Sequence, residues 1–271
     1  YFEEQGLDFE LDVRAQQNSE QDIASDGEHD IRTGAYELYR AGGGGKKNMS
    51  CACHWAVNQA AADSAGQMWG HGYSILPSGV YVPGDSPITR PGELAGVEVA
   101  VGYHSGSHFS TLQALEAFLD RDQIRLRFGG MPYDRVDALL SGAVPAAAIW
   151  NAPTYLVEQQ GCRKILDTTF MAGFMFDFQT DPADVDRYFN ALKRAQMELD
   201  LQPEPYKHHY LKEIPERFHD LIDVRRFGPG ERIVFLPYTS DSYDRSQQWM
   251  RERRLFESGD APAPFESVVQ V

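Results

Sequence analysis

The chain has 271 residues, a formal net charge of −15 and a sequence pI near 4.9. Hydrophobic residues make up 42% of it and aromatic residues 12%, which is typical of a globular protein and excludes a disordered or collagen-like chain. The excess of carboxylates disfavours a nucleic-acid partner because it repels phosphates. No apolar run reaches the ~18–20 residues of a membrane span, and the length predicts two domains.

The cysteine count and the first residues of the chain each support a separate prediction. Three cysteines, Cys51, Cys53 and Cys162, cannot close a full disulfide framework. The first residues resemble the last turn of an amphipathic helix that ends at Gly6, a residue type suited to the position after a helix. We therefore expect a strand and a helix start upstream of residue 1, and any targeting signal would lie there too.

Alternation and turn residues predict the elements of the first part of the chain. Apolar residues at every second position indicate strands, and four consecutive glycines indicate a loop because their backbone entropy opposes a helix. The predicted elements are strands over 9–13, 50–57 and 78–82, helical stretches over 19–25 and 36–39, and a loop at 42–45.

From residue 91 onward strands and helices alternate, which predicts a parallel α/β sheet. The predicted strands cover 97–101, 124–128, 146–150 and 164–167, and the predicted helices cover 107–119, 134–141 and 154–160. Beyond residue 174 the pattern is helical, with Asp181 and Pro182 opening a helix over 185–199. Further helical segments are predicted over 206–211, 215–221 and 238–255, and the tail from 257 is predicted to be frayed.

Ligands of parallel α/β sheets bind beyond the carboxyl ends of strands, where helix N-termini present free N–H groups. The segment 102–111 follows such a strand, and its serines and threonine can add hydroxyl donors; the alternative is that Ser105 or Ser107 only caps the helix. A tyrosine and a tryptophan after other strands can sandwich a flat ligand, or can simply pack in the core. The predicted ligand-binding residues are Gly34, Tyr36, His104, Ser105, Gly106, Ser107, His108, Thr111, Trp150 and Asn151.

Two clusters have the residue types of a metal site or a nucleophile. His104 and His108 are four residues apart, as in a helical metal pair, but no third ligand is identifiable, so no metal is predicted. Cys51, Cys53 and His54 could form a soft metal site or a nucleophile–base pair. The simpler interpretation is two small buried cysteines on a strand.

Four stretches together carry a family resemblance. They are residues 1–11, 86–101, the unit 136–142 with 146–150, and the helix 185–195. In this order they resemble the two-lobed type II solute-binding proteins, and more narrowly the group that binds alkanesulfonates, taurine and thiamine-pyrimidine precursors, which also includes the thiamine-pyrimidine synthase. The chain departs from the family at Pro145, where an aspartate is usual, and in the tetraglycine and the 51–54 stretch.

The resemblance implies an α/β fold of two lobes, each a mainly parallel sheet flanked by helices, with two crossover hinge strands near 80–82 and 172–176. Residues 1–82 would begin lobe 1, 83–173 would form lobe 2, and 174–271 would return to lobe 1. It also implies a small polar, anionic or heteroaromatic ligand in an interlobe cleft that closes on it, no cofactor, and delivery to the permease of an ABC importer. The protein would be periplasmic if a signal precedes residue 1, and otherwise cytoplasmic.

An enzyme on the same scaffold is the alternative, because desulfinases, decarboxylases and the thiamine-pyrimidine synthase share it. The segment with Arg40 ahead of the glycines is similar to an arginine–glycine segment of the sulfinate desulfinase, and such an arginine can bind a sulfinate or carboxylate in bidentate fashion. The cysteine nucleophile of that family would lie upstream of this sequence. Cys51 or Cys53 would then have to replace it, with His54 beside them.

Overall fold

The computed structural model describes residues 1–10, 49–256 and 262–270. This part of the chain forms two compact units. Unit 1 contains 1–74, 171–201 and 233–271, and unit 2 contains 75–170 and 202–232. The first two boundaries fall within strands, at 74/75 and 170/171, rather than at the predicted 82/83 and 173/174. Residues 202–232, which the sequence analysis assigned to lobe 1, belong to unit 2.

The helices and strands of the described residues are numbered here in chain order. The strands are β1 Met49–Cys53, β2 Gln67–Trp69, β3 Tyr73–Leu76, β4 Ser78–Val82, β5 Glu98–Val101, β6 Arg125–Phe128, β7 Ala146–Trp150, β8 Arg163–Asp167, β9 Phe170–Phe176, β10 Arg232–Val234 and β11 Val269–Gln270. The helices are α1 His54–Ala62, α2 Gly106–Leu115, α3 Pro132–Leu140, α4 Ala152–Gln159, α5 Pro182–Leu201, α6 Tyr210–Glu213, α7 Ser240–Glu252 and α8 Phe265–Val268.

The sheet of unit 2 has five strands in the order β6-β5-β7-β4-β8. β5 runs parallel to both β6 and β7, as the alternation of strands and helices predicts. β4 is antiparallel to both β7 and β8, so the sheet is mixed rather than mainly parallel. Successive residues of β4 and β7 belong to the two different core clusters of the unit, which shows that the sheet is buried on both faces.

The other sheet has six strands, in the order β10-β3-β9-β2-β11 with β1 also paired to β9. β1 and β2 are antiparallel to β9, and β11 is parallel to β2. The aromatic core of unit 1 lies against this sheet, where the rings of Trp69 and Phe189 stack with centroids 3.3 Å apart. β9 lies in the middle of this sheet, so the residues of β9 that follow the 170/171 boundary are part of the core of unit 1.

Several predicted elements differ from the observed ones. The strand predicted over 50–57 ends at Cys53 and a helix begins at His54, because a short apolar run rich in alanine suits a buried helix as well as a strand. The predicted frayed tail contains α8 and β11, with Val268 and Val269 buried. Residues 11–48 and 257–261, including three predicted elements and the tetraglycine, lie outside the described residues. Within the described ranges, no helix has both the length and the apolarity to cross a bilayer.

Candidate functional site

Three parallel strands of unit 2 end at one edge of its sheet. β6, β5 and β7 are neighbours and run in the same direction. Their ends are followed by Gly129–Gly130, by the loop Gly102–Ser105 and by Asn151, and α2 and α4 begin directly after the second and third of these segments. We call this region the carboxyl edge of unit 2. It brings together two of the predicted ligand-binding segments, the one around Ser105 and the one at Trp150.

The loop after β5 is closed by its own serines. Ser105 Oγ–H donates to the carbonyl of Gly102, the Ser105 and Ser107 hydroxyl oxygens are 2.9 Å apart, and the Gly102 N–H donates to Ser107 Oγ at 3.0 Å. Since Ser105 gives its hydrogen to Gly102, Ser107 must give its own to Ser105. Both hydroxyl hydrogens are therefore used inside the loop. The N–H groups of His108 and Phe109 both donate to the carbonyl of Ser105 at 3.1 Å, so the donors that α2 can offer a ligand are the N–H groups of Gly106 and Ser107.

Two histidines lie at the start of α2, His104 in the loop before it and His108 in its first turn. His104 has a left-handed backbone (φ 50°), and its N–H donates to Nδ1 of His108 at 3.2 Å. His108 therefore carries its hydrogen on Nε2. Burial, and to a smaller extent the neighbouring His104, lowers the pKa of His108 from 6.5 to about 4. In the described part of the chain no group of three His, Cys, Asp or Glu side chains is placed to hold a metal ion.

Thr111, predicted as a ligand contact, does not reach the surface. It is fully buried, because α2 packs against β4, β5 and β7. Its hydroxyl has no hydrogen-bond partner among the described residues, and neither has the hydroxyl of the adjacent Ser110. Binding through Thr111 would require α2 to move away from the sheet, and the direct contact predicted for it stays a prediction.

Trp150 and Asn151 end β7 at the same edge. Trp150 is half-buried and its ring meets that of Phe170 edge-on at 6.4 Å. Asn151 has φ 56° and ψ −141°, a backbone conformation that favours glycine, and its N–H donates to the carbonyl of Pro77 at 2.8 Å. Its side-chain oxygen accepts the N–H of Glu231 at 3.2 Å. The side-chain NH₂ of Asn151 makes no hydrogen bond to any described residue and remains available as a donor.

The sequence analysis missed Arg135, which lies beneath the carboxyl edge. This residue of α3 is only 2% exposed; its Nε donates to the carbonyl of Ala148 at 3.0 Å and its Nη1 to that of Gly130 at 2.8 Å. The signal was present, because Arg135 shares the buried face of α3 with Val136 and Leu139. An arginine at an apolar position of a helical pattern indicates a buried guanidinium with specific acceptors.

In unit 1, the cluster of Cys51, Cys53 and His54 lies where β1 ends and α1 begins. Cys51 is exposed and only Cys53 is buried, so the interpretation as two buried cysteines is wrong for Cys51. Nδ1–H of His54 donates to the carbonyl of Met171 at 3.1 Å. Burial lowers the pKa of His54 to about 4, an effect partly opposed by that hydrogen bond. The imidazole is therefore neutral at physiological pH, with its lone pair on Nε2.

A groove of about 140 Å³ elsewhere in unit 2 has its polar groups already engaged. It is lined by Tyr155, Glu158, Gln159 and Arg226. Glu158 accepts the hydroxyl of Tyr81 at 2.7 Å, and the side-chain amide of Gln159 makes two hydrogen bonds to the backbone of Asp223. The Glu158 bond joins α4 to β4, and the Gln159 bonds hold Asp223, between the 3-10 turns Glu216–Leu221 and Val224–Arg226, onto α4, which is a structural role.

The remaining predicted site residues, Gly34, Tyr36 and Arg40, lie outside the described residues. The predictions that Gly34 and Tyr36 contact a ligand and that Arg40 binds an acid therefore stay predictions.

The fold is similar to that of solved alkanesulfonate-binding proteins. The alkanesulfonate-binding protein SsuA from Xanthomonas axonopodis pv. citri, bound to MOPS, has a TM-score of 0.66 and 17% identity, covering 88% of this chain and 85% of that chain. The periplasmic aliphatic sulphonate-binding protein SsuA from Escherichia coli has a TM-score of 0.66 and 18% identity, covering 88% and 80%. The two-lobed α/β fold that the sequence resemblance implied is therefore confirmed.

An enzyme shares the same architecture. The desulfurization enzyme DSZB has a TM-score of 0.54 and 15% identity to this chain, covering 82% of each. No protein-family model matches the chain, and no curated protein sequence matches it either. At these identities the likeness establishes the fold, and the function has to be argued from the site.

Proposed function

We propose that this protein is a solute-binding protein that captures a small polar, anionic or heteroaromatic molecule at the carboxyl edge of unit 2. The observation that carries the proposal is that α2 and α4 both begin at the ends of neighbouring parallel strands. The N–H groups of Gly106 and Ser107 at the start of α2 and the side-chain NH₂ of Asn151 are then donors at one edge, beside the ring of Trp150. Donors of this kind suit an anion, and the indole suits a flat or apolar group.

The names of the structural neighbours add a ligand class to test first. The Xanthomonas protein was solved with MOPS, which carries a sulfonate, and the Escherichia coli protein is named as periplasmic. By analogy we include in the proposal a sulfonate or a similar oxyanion as ligand, a location outside the cytoplasm, and delivery of the solute to an ABC importer.

The test is a thermal-shift and calorimetric screen of alkanesulfonates, MOPS, small carboxylates, phosphate and heterocycles. A ligand present at 100 times its Kd should stabilise the protein by about 2.7 kcal/mol. Trp150→Phe should remove most of the ligand-induced change in tryptophan fluorescence, whereas the matched variant Trp249→Phe, in α7 of unit 1, should preserve it. If no compound in the screen shifts the melting temperature, the proposal is contradicted.

The enzymatic alternative is favoured by the exposed thiol of Cys51, three residues before the neutral imidazole of His54, and by the fold shared with DSZB. A combined Cys51→Ala, Cys53→Ala and His54→Asn variant separates the two functions. A binding protein should retain its ligand affinity, whereas an enzyme should lose its turnover of an aromatic sulfinate. Cys162→Ala, which removes a buried thiol of unit 2, is the control.

A further inference from the structure

Arg135 is buried at the point where three parallel strands end. Its guanidinium bonds to Gly130, which follows β6, and to Ala148 in β7, and it lies under Gly102, which follows β5. A Cβ added to Gly102 would be 2.9 Å from Nη1 of Arg135. That same Cβ position is 3.3 Å from Ser105 Oγ and 3.4 Å from Ser107 Oγ. The guanidinium is therefore packed directly against the loop that leads into α2.

The charge of Arg135 has no acidic partner among the described residues. Both of its acceptors are neutral carbonyls, and the ion pairs of the described residues do not include it. The adjacent Asp134 is exposed, and its carboxylate accepts the N–H of Met131 at 2.8 Å. Burial lowers the pKa of Arg135 to about 10, with a smaller opposing effect of Asp134, so the side chain is still charged at neutral pH.

We infer that Arg135 makes the carboxyl edge favour oxyanions over neutral solutes, by placing a buried positive charge, which has no ion-pair partner among the described residues, behind the Gly102–Ser107 loop. The inference rests on the proposed function, because it specifies the charge of the solute bound there. Arg135 acts as a positioning and charge-supplying residue rather than as a direct contact, since it lies beneath the loop. One buried cation suits one negative charge, as on a sulfonate, a sulfinate or a carboxylate.

A purely structural role for Arg135 makes a different prediction. If the side chain only satisfies the carbonyls of Gly130 and Ala148, a neutral donor should replace it without changing which ligands bind. Arg135→Gln keeps an NH₂ donor and removes the charge, and Arg135→Lys keeps the charge and removes the planar fork. Charge and hydrogen bonding can therefore be separated at this one position.

The experiment measures the Kd of butane-1-sulfonate and of its neutral analogue butyl methyl sulfone by calorimetry, for the wild-type protein and both variants. Arg135→Gln should weaken sulfonate binding about 10- to 100-fold and change sulfone binding less than about threefold, with Arg135→Lys between wild type and Arg135→Gln. Equal losses for both ligands, or no loss for the sulfonate, would overturn the inference.

Arg163 offers a matched control. It also donates to backbone carbonyls, those of Gly84 and Ser86, and it has no carboxylate partner within the described chain. It pairs with Val82 at the end of β4, whereas Trp150 pairs with Ser78 at the start of that strand, so Arg163 lies at the opposite edge of the sheet. Arg163→Gln should leave the ratio of sulfonate to sulfone affinity unchanged.

Two measurements on the wild-type protein keep the inference falsifiable if the variants do not fold. Butane-1-sulfonate should bind at least about tenfold more tightly than the sulfone, and methanesulfonate should shift the amide resonances of the Gly102–Ser107 loop. Equal affinity for sulfonate and sulfone would overturn the inference while leaving solute binding intact. If no larger solute binds, the proposed function fails, but loop shifts that methanesulfonate produces and a neutral sulfone does not would still support this role of Arg135. The absence of any sulfonate binding overturns it.

Discussion

His54 is a buried imidazole of unit 1, and His108 is a half-buried imidazole of unit 2. Both have a pKa lowered from 6.5 to about 4, chiefly by burial, so the folded protein binds fewer protons than the unfolded chain between pH 4 and 6.5. Their contribution to stability is therefore fully present above about pH 6.5 and is lost as the pH falls toward 4.

We predict that lowering the pH from 7 to 5 reduces the free energy of unfolding by about 2 kcal/mol through each of these histidines. His108→Asn keeps an acceptor for the His104 N–H, and His54→Asn keeps a donor for Met171. Urea unfolding at the two pH values should show a smaller loss of stability in either variant than in wild type. The control is His71→Gln, which removes an exposed imidazole. An unchanged pH dependence in both asparagine variants would contradict the prediction.

At the residue scale, the sequence located the loop but not the chemistry inside it. Ser105 and Ser107 lie at the start of α2 as predicted, yet their hydrogens are used within the loop, which only the side-chain rotamers decide. Thr111 lies beyond the first turn of α2, where a residue passes from the end of the helix to its buried face, so its predicted contact stays a prediction. The apolar pattern of α3 indicates that Arg135 is buried, but which carbonyls it bonds to, those of Gly130 and Ala148, depends on tertiary packing.

The helix α1 is unusual because all nine of its residues are buried, including the polar Asn58. The Asn58 amide donates to the hydroxyl of Tyr238 at 3.0 Å and to the carbonyl of Tyr243 at 3.3 Å, and its oxygen accepts the amide of Gln247 at 2.5 Å. These bonds attach α1 to α7 within unit 1. A buried polar group stabilises such an interface only while all of its bonds are made.

We predict that Asn58→Ala lowers the free energy of unfolding by about 2–4 kcal/mol, because it removes three buried hydrogen bonds and leaves the Gln247 amide with only its bond to the backbone carbonyl of residue 58. Gln247→Ala should cost less when Asn58 is already absent, so a double-mutant cycle should give a coupling of about 1 kcal/mol or more. Gln59→Ala, which removes one bond to Asp63 on the same helix, is the matched control and should cost about 1 kcal/mol. Additive effects of the first two changes would contradict the network.

The bounds of helices and strands were predicted correctly where the apolar periodicity and the residues that begin or end an element indicate the same bounds. β4 and β7 have the predicted bounds, and α5 begins at Pro182 with the carboxylate of Asp181 accepting the N–H of Ala183 at 2.9 Å. β10 and β11 were missed because strands of two or three residues are too short to show alternation. β4 was predicted as a crossover hinge strand at the end of lobe 1, because the partners β7 and β8 that place it within the sheet of unit 2 are distant in sequence.

The whole chain is divided into units by segments that are distant in sequence. Unit 1 is completed by 171–201 and 233–271, and unit 2 by 202–232. The sequence predicted that the chain returns to lobe 1, but not that 202–232 stay in unit 2, since their helical character is the same in either location. Membership of a unit is decided by tertiary contacts, such as those that Gln159 and Gln160 of unit 2 make to Asp223 and Leu221.

The end of the described chain is a structural part of unit 1. β11 pairs in parallel with β2, Val269 is 3% exposed, and the carbonyl of Gln270 accepts the N–H of Gly70 at 2.8 Å. Removing residues 269–271 exposes an edge of β2 and the apolar surface that Val269 covers. Because these contacts all lie in unit 1, the damage should be confined to that unit.

We predict that this truncation lowers the stability of unit 1 by about 2–4 kcal/mol, from the loss of the Val269 side chain and of the β-ladder bonds. Hydrogen exchange measured by mass spectrometry should accelerate in β2 and β9, while peptides covering β5 and β7 of unit 2 keep their wild-type rates. Leu236→Ala, which shortens a side chain of unit 1 that is 57% exposed, should change neither. Equal acceleration in both units would show that they open as one cooperative structure, and unchanged exchange in β2 would show that β11 contributes little.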